Sequence, residues 1–345
     1  MKVLLTGHQG YIGTRMVPFL LERGVDVVGL DTGFFEGCQL FECCDDIPTI
    51  SKDVRDVTAE DLAGFDAVIH LAALSNDPLG DLDADWTFDI NHRGSVHLAK
   101  VAKEAGVGRF IFSSSCSMYG VAEGDEELTE TADFNPVTPY AESKVRTEAD
   151  LTAMADDTFS PTFMRNATCY GVSGRLRADI VLNNLTGWAI TTGQVRIMSD
   201  GTPWRPLVHI EDLSRAFYCV LTADRAKIHA EAFNIGVSGH NYTVREIAEA
   251  VYDTVPDCEL EFAGSGGPDP RNYKVDFSKF ETAFPDYDPQ WNIERGAREL
   301  YDAYREASMT EERFQGREFI RLHQLKELIA QGAVDETLRP ATAHV

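Results

Sequence analysis

Gly7-His8-Gln9-Gly10-Tyr11-Ile12-Gly13 stands between an apolar run at residues 3–5 and an amphipathic segment at residues 11–23. Glycines in this arrangement let the backbone turn tightly and approach a bound group closely. The helix opening behind them offers unpaired N–H groups and the positive end of its dipole to an anion. Three glycines also describe a plain turn, so the meaning comes from the surroundings. Working outward, residues 27–30, 67–71, 110–112 and 162–164 repeat the apolar run, and residues 93–105 and 140–155 repeat the amphipathic segment. This strand–helix alternation implies an α/β fold, a doubly wound parallel sheet covered on both faces. Ligands of such sheets sit beyond the carboxyl ends of the strands.

Asp31 closes the second apolar run. A carboxylate there accepts hydrogen bonds from both ribose hydroxyls of a dinucleotide and repels a 2′-phosphate. No arginine directly follows it, so NAD is expected over NADP. Tyr140-Ala141-Glu142-Ser143-Lys144 places a phenol and an ammonium one helical turn apart on one face. The ammonium favours the phenolate and lowers the tyrosine pKa from about 10, which makes it a general acid/base near neutrality. Ahead of that pair, Phe112-Ser113-Ser114-Ser115-Cys116-Ser117-Met118-Tyr119-Gly120 ends a strand in a serine run.

The G-x-x-G-x-x-G spacing, Asp31 and the serine run before Tyr-x-x-x-Lys resemble the short-chain dehydrogenase/reductase superfamily, whose fold is of the Rossmann type. The resemblance implies catalytic roles for Ser115, Tyr140 and Lys144. It implies NAD contacts from Gly7, Gly10, Tyr11, Ile12, Gly13, Asp31, Tyr140 and Lys144. Asp53-Val54-Arg55-Asp56 resembles the adenine-contacting turn, with Asp53 and Val54 in the contact positions. His70-Leu71-Ala72-Ala73 resembles the strand end beside the dinucleotide, which brings in Leu71, Ala72 and Ala73. Asn91 falls where a helix asparagine braces the active site, and it is counted with the cofactor residues.

Length and the second half resemble the extended branch, the nucleotide-sugar epimerases and dehydratases, over roughly residues 1–279. Trp204-Arg205-Pro206-Leu207-Val208-His209-Ile210-Glu211-Asp212-Leu213 resembles its R-x-x-x-x-V-x-D-L segment, with Ile210 in place of the valine. Arg205, Arg271 in Pro268-Asp269-Pro270-Arg271, and Asn184 are implied as contacts to the nucleotide diphosphate. Ser75, Ser117 and Thr168 are implied as further substrate contacts. Two local arginines would let a chain of net charge −25 receive an anionic substrate.

Two departures bear on the reaction. The 4,6-dehydratases of this branch carry Asp-Glu three and two positions before a Tyr-Gly step, and its UDP-glucuronate decarboxylases keep a glutamate there. This chain has Cys116 and Ser117. Elimination of water needs an acid to protonate the leaving hydroxyl, so that route is disfavoured, and Cys116 is expected as a buried neutral thiol. Many relatives also place asparagine two residues before the second Tyr-Gly; here Thr168 holds that position and the asparagine is Asn166. The expected activity is an NAD-dependent epimerase acting on a nucleotide-linked sugar through a transient keto-sugar at C4. A nucleotide-sugar reductase or dehydrogenase with net cofactor turnover, and an unusual dehydratase, stay open. A non-catalytic scaffold is opposed by the intact Ser115, Tyr140 and Lys144.

The 345 residues suggest two lobes. Residues 1–171 are expected as the NAD-binding domain, with 206–236 returning to it. Residues 172–345 are expected as mainly a smaller α/β substrate lobe plus a helical C-terminal extension. Helices are expected at 179–192, from about 211, at 243–254 with Thr243 as N-cap, and through 293–329. A strand is expected at 206–210, a flexible loop at 264–269 and a loose end at 340–345. The acidity argues against nucleic acid and anionic membranes as partners and reads as solubility, with a salt-rich cytosol as the alternative. Seven cysteines without CxxC or zinc spacing read as free thiols in a reducing cytoplasm, with no metal site. No apolar run reaches membrane-spanning length, and residues 1–7 read as a buried strand rather than a signal peptide. A homodimer through the helices at 93–105 and 140–155 is implied by the resemblance.

Overall fold

The computed structural model describes residues 1–43, 47–75, 83–121, 126–262, 264 and 271–341. The central sheet contains β1 (Lys2–Thr6), β2 (Asp26–Asp31), β3 (Thr49–Ser51), β4 (Ala67–His70), β5 (Arg109–Ser115), β6 (Ser160–Asn166) and β7 (Ala232–Ile235). All are parallel, in the order β3-β2-β1-β4-β5-β6-β7. This is the Rossmann-type order. It reverses between β1 and β4 and so opens a crevice at their carboxyl ends.

Successive strand residues point to opposite faces. Val3, Leu5, Val27, Ile69 and Ile111 share one core with Met16, Val17, Phe217 and Val220 of the helices Gly13–Leu21 and Ile210–Thr222. Leu4, Val28, Val68, Phe110 and Phe112 share another with Leu98, Ala102 and Leu151 of Ser95–Glu104 and Pro139–Met154. Burial on both faces is why these strands read as unbroken apolar runs rather than as alternation.

The second lobe packs the helices Val181–Thr192, Val244–Thr254 and Ile293–Glu306 around Leu182, Leu185, Ile247, Val251, Leu300 and Tyr304. Thr243 and Glu246 form a reciprocal capping box at the start of Val244–Thr254. The strand Trp204–His209 lies between Thr168–Tyr170 and Asn241–Thr243 in a separate small sheet. Within 206–236, Ile210–Thr222 and Ala232–Ile235 pack on or in the central sheet, and the strand before them lies in the small sheet with Val208 facing the central core and Leu207 the other.

The stretch at 293–329 is three helices, not one run: Ile293–Glu306, Glu311–Phe314 and Arg321–Ala330. Ser308 takes a left-handed φ of 47°, which breaks the first, and Thr310 caps the second. Residues 321–341 turn back to the first lobe instead of packing within the second. Leu325, Val334 and Leu338 bury against Leu74 and Ile90. Pro340 pairs with Val334, so the chain is still held there, while residues 342–345 lie outside the described residues. Of the expected loop at 264–269, only Gly264 is described. Among the described residues no helix is long and apolar enough to cross a membrane.

At Gly13 the start of the helix Gly13–Leu21 presses on the loop after β1. A Cβ there would lie 2.4 Å from the Gly7 carbonyl oxygen and 2.5 Å from His8 Cα. Both atoms are backbone and cannot swing aside. Gly13→Ala is expected to destabilise the ligand-free protein by about 1–3 kcal/mol in urea denaturation and to weaken NAD binding. A variant with unchanged midpoint and affinity would contradict this tight contact.

Candidate active site

The loop after β1 is pinned by its own backbone. Gly7 has φ 72°, its N–H donates to Leu30 O at 2.8 Å, and Gly10 N–H donates to Gly7 O at 2.9 Å. A Cβ on Gly7 would stand 2.8 Å from Ala72 N, so only glycine lets β1 and the segment after β4 come this close. Asp31 ends β2 with its carboxylate held by two N–H groups, from Gln9 at 3.1 Å and Gly33 at 3.0 Å. Asp53 caps the turn Val54–Asp56, and its carboxylate is engaged by Arg55 at 2.7–2.9 Å.

Ser115 is the last residue of β5, and its hydroxyl accepts from Ser117 N–H at 3.1 Å. Thr138 caps the helix Pro139–Met154, with Pro139 in its first turn. That start places Tyr140 at the helix mouth and Lys144 one turn further in, 5.4 Å from the Tyr140 ring centre. Lys144 is buried and donates to the Ser113 carbonyl at 2.7 Å. Burial pushes its ammonium down to about 7, against the pull of Glu148.

One cleft of about 910 Å³ brings these pieces together. It is lined by every expected catalytic residue, every expected substrate contact and every expected cofactor residue except Asn91. Asn91 lies behind the cleft rather than in its lining. It is buried there, and its amide accepts from Leu74 N at 2.8 Å and donates to Leu74 O at 3.0 Å. It braces the wall as a positioning residue and does not reach the cavity. Thr168 and Asn166 both line the cleft, and Arg205 donates to the Arg271 carbonyl at 2.6 Å on the opposite wall. Pro268, Asp269 and Pro270 lie outside the described residues.

Cys116 is fully buried, donates to Arg165 O at 3.0 Å and does not line the cleft. Burial pushes its thiol far above the usual range, so it stays neutral. Ser117 does line the cleft, and its Oγ is buried without a partner, as is Asn166 Oδ1. Unmatched polar atoms of this kind invite a ligand, because leaving them dry costs about 1–3 kcal/mol each. The backbone cradle at Gly7 and Gly13 and the held Asp31 carboxylate fit an NAD molecule.

Reading from the sequence passed over Arg177 and Asp179. Arg177 grips Asp179 through two hydrogen bonds of 3.0 and 2.6 Å and donates to Ser75 Oγ at 3.2 Å. Burial works against its charge, but Asp179 outweighs burial and holds the guanidinium above its usual range. The signal was available: Arg175-Leu176-Arg177-Ala178-Asp179 follows Tyr170-Gly171 closely, at the edge of the crevice.

The lowered lysine has a measurable consequence. Folded Lys144 loses its proton near 7, whereas an unfolded lysine keeps it to about 10.4. Between those values the unfolded chain binds the extra proton, so this contribution to stability rises with pH. Stability of the ligand-free protein relative to Lys144→Met, from urea denaturation, should increase from pH 7 towards pH 10. A difference independent of pH would show that Lys144 titrates normally.

Comparison with known proteins shows the family. Residues 3–236 match the model of the NAD dependent epimerase/dehydratase family. A UDP-glucose 4-epimerase of Lactobacillus helveticus is 30% identical over 312 residues, 82% of this chain and 90% of that protein. UDP-glucuronic acid decarboxylase 1 of Arabidopsis thaliana is 26% identical, over 92% of this chain and 72% of that protein. Among solved structures, a UDP-glucose 4-epimerase of Thermotoga maritima with UDP-glucose has a TM-score of 0.77 at 24% identity, covering 90% of this chain and 100% of that one. An NAD-dependent NDP-hexosamine 5,6-dehydratase has a TM-score of 0.79 at 22% identity, covering 88% and 98%. These relatives share a fold and differ in reaction, while the chain itself belongs to the NAD-dependent epimerase/dehydratase family and uses NAD.

Proposed function

We propose that the protein is a nucleotide-sugar epimerase that inverts C4 through a transient keto-sugar. The observation that carries this reading is the inventory of acids in the cleft. Among its described lining residues the carboxylates are Asp31 and Asp53 on the cofactor side, and Asp179, which is held by Arg177. The position where dehydratases keep an acid is a buried neutral thiol, and its neighbour is a serine. Ser115, Tyr140 and Lys144 supply proton transfer at one hydroxyl and nothing obvious to expel another.

Bound NAD supplies a reversible hydride acceptor. The chain's own residues do the rest. Tyr140 takes the proton of the C4 hydroxyl and returns it to the C4 oxygen after the sugar has turned and presented its other face. Lys144 favours the phenolate form of Tyr140 by its nearby charge. Ser115 holds the reacting oxygen, and Arg205, Arg271 and Asn184 hold the nucleotide diphosphate while the sugar rotates. A diphosphate anchor with a free sugar is what inversion requires, since both faces of the same carbon must be presented in turn.

The test is to incubate purified protein with a panel of UDP- and dTDP-sugars, following the sugar by NMR and the NADH absorbance band. An inverted sugar with no net NADH supports the epimerase. Stoichiometric NADH formation or consumption would make it a dehydrogenase or reductase. Tyr140→Phe should lower kcat by about 10²–10⁴-fold with bound NAD unchanged. Activity like that of the wild type in this variant would sink the mechanism.

A further inference from the structure

The family match ends at residue 236, yet residues 321–341 lie on the cofactor side of the cleft. The helix Arg321–Ala330 and the residues after it are tied to three separate elements of the first lobe. Gln324 donates to Phe34 O at 3.0 Å, beyond β2. Arg55, beside Asp53, donates to Thr337 O at 2.9 Å. Trp86 donates to Glu336 O at 2.8 Å. These anchors lie beside the residues that the resemblance assigns to adenosine, so the segment borders that half of the cleft, with Arg321 reaching into it. Leu325, Val334 and Leu338 bury beneath the segment and give it an apolar base.

Arg321 opens this helix and lines the same cleft as Gly10, Tyr11 and Ile12. It is only 4% exposed. One nitrogen, Nη2, donates to Arg175 O at 2.9 Å, and the guanidinium packs 4.0 Å from the Phe35 ring centre. The other, Nη1, is buried without a hydrogen-bond partner. Arg175 and Arg177 are its charged neighbours, and Asp179 nearby is already gripped by Arg177. Burial and these arginines pull Arg321 down to about 10, which leaves it cationic at neutral pH.

A cation buried beside other cations is costly unless an anion completes the group. This chain has acidic residues to spare, with 56 Asp and Glu against 31 Lys and Arg, yet none is hydrogen-bonded to Arg321 among the described residues. An anionic ligand in the cleft would complete the group. The loop at Gly10–Gly13 and the helix behind it form a wall suited to a dinucleotide diphosphate, and Arg321 lines the same cleft.

We propose that residues 321–341 are a strap across the cofactor cleft and that Arg321 binds the diphosphate of NAD. The inference rests on NAD as the cofactor and not on which sugar reaction follows. With the strap in place, the dinucleotide leaves only when the helix Arg321–Ala330 lifts, so cofactor exchange is slow. A retained cofactor suits a reaction that returns its hydride in each cycle.

The experiment uses the full chain stripped of cofactor, with calorimetric titration of NAD and of adenosine, and of UDP into the reloaded enzyme. Arg321→Met should weaken NAD by about 10–100-fold, the range for a charge-assisted hydrogen bond. Adenosine and UDP should bind as in the wild type. Arg321→Lys should recover part of the NAD loss, since it restores the charge without the planar fork. NAD affinity within twofold of the wild type would overturn the proposal. So would a loss confined to UDP, which would place the guanidinium on the substrate's diphosphate. If the variants do not fold, hydrogen exchange on the wild type decides. Slower exchange of amides in 321–340 on adding NAD supports the strap, and unchanged exchange refutes it.

Discussion

Between Gly7, Gly13 and Ala72 there is no room for a side chain: a Cβ on either glycine would come within 2.8 Å of backbone. That close approach joins the end of β1 to the segment after β4, at the place where the strand order reverses. Everything in the cleft is referenced to it. The loop holds Asp31 through Gln9, the segment after β4 is fastened to Asn91 through Leu74, and β5 delivers Ser115 one strand over. The catalytic helix is then set by Lys144, whose ammonium bonds the Ser113 carbonyl and so fixes Tyr140 relative to the sheet.

Charge is distributed in two distinct ways. Overall the chain is strongly acidic, but the cleft gathers Arg177, Arg205, Arg271 and Arg321 along its walls. A ligand with two phosphates meets a local field opposite to that of the surface. Beneath Lys144 lies a second buried group. Arg165 pairs with Glu148 at 2.7 Å, and Ser114 donates to Glu148 at 2.6 Å. This pair neutralises itself and carries the carboxylate whose field opposes the fall in the Lys144 pKa. The effect is to keep a lysine partly charged in a site that would otherwise discharge it.

The sheet and the residues that gather in the cleft were legible because both depend on local patterns. Apolar runs mark strands buried on two faces, and Tyr140 and Lys144 face the same way whatever surrounds them. The short edge strand β3, half exposed, left no such mark. Asn91 was counted with the cofactor residues, since spacing cannot tell a side chain that touches a ligand from one that fastens the wall behind it. The break at Ser308 and the return of residues 321–341 depend on long-range packing. A charged helix such as Arg321–Ala330 reads as a solvated face, and only the fold reveals that its first residue is buried beside Phe35. Cys116, by contrast, was expected as a buried neutral thiol, and the fold buries it fully.

The central claim is that hydride leaves and re-enters the same sugar carbon while the cofactor stays in place. The most direct measurement takes the nucleotide sugar that turns over, labelled with deuterium at C4, and incubates it with the enzyme and excess unlabelled free NAD. The account predicts deuterium still at C4 in both epimers at equilibrium and none in the free cofactor pool. Deuterium passing into free NADH, or appearing at another sugar carbon, would contradict it and point to a dehydrogenase or to an elimination.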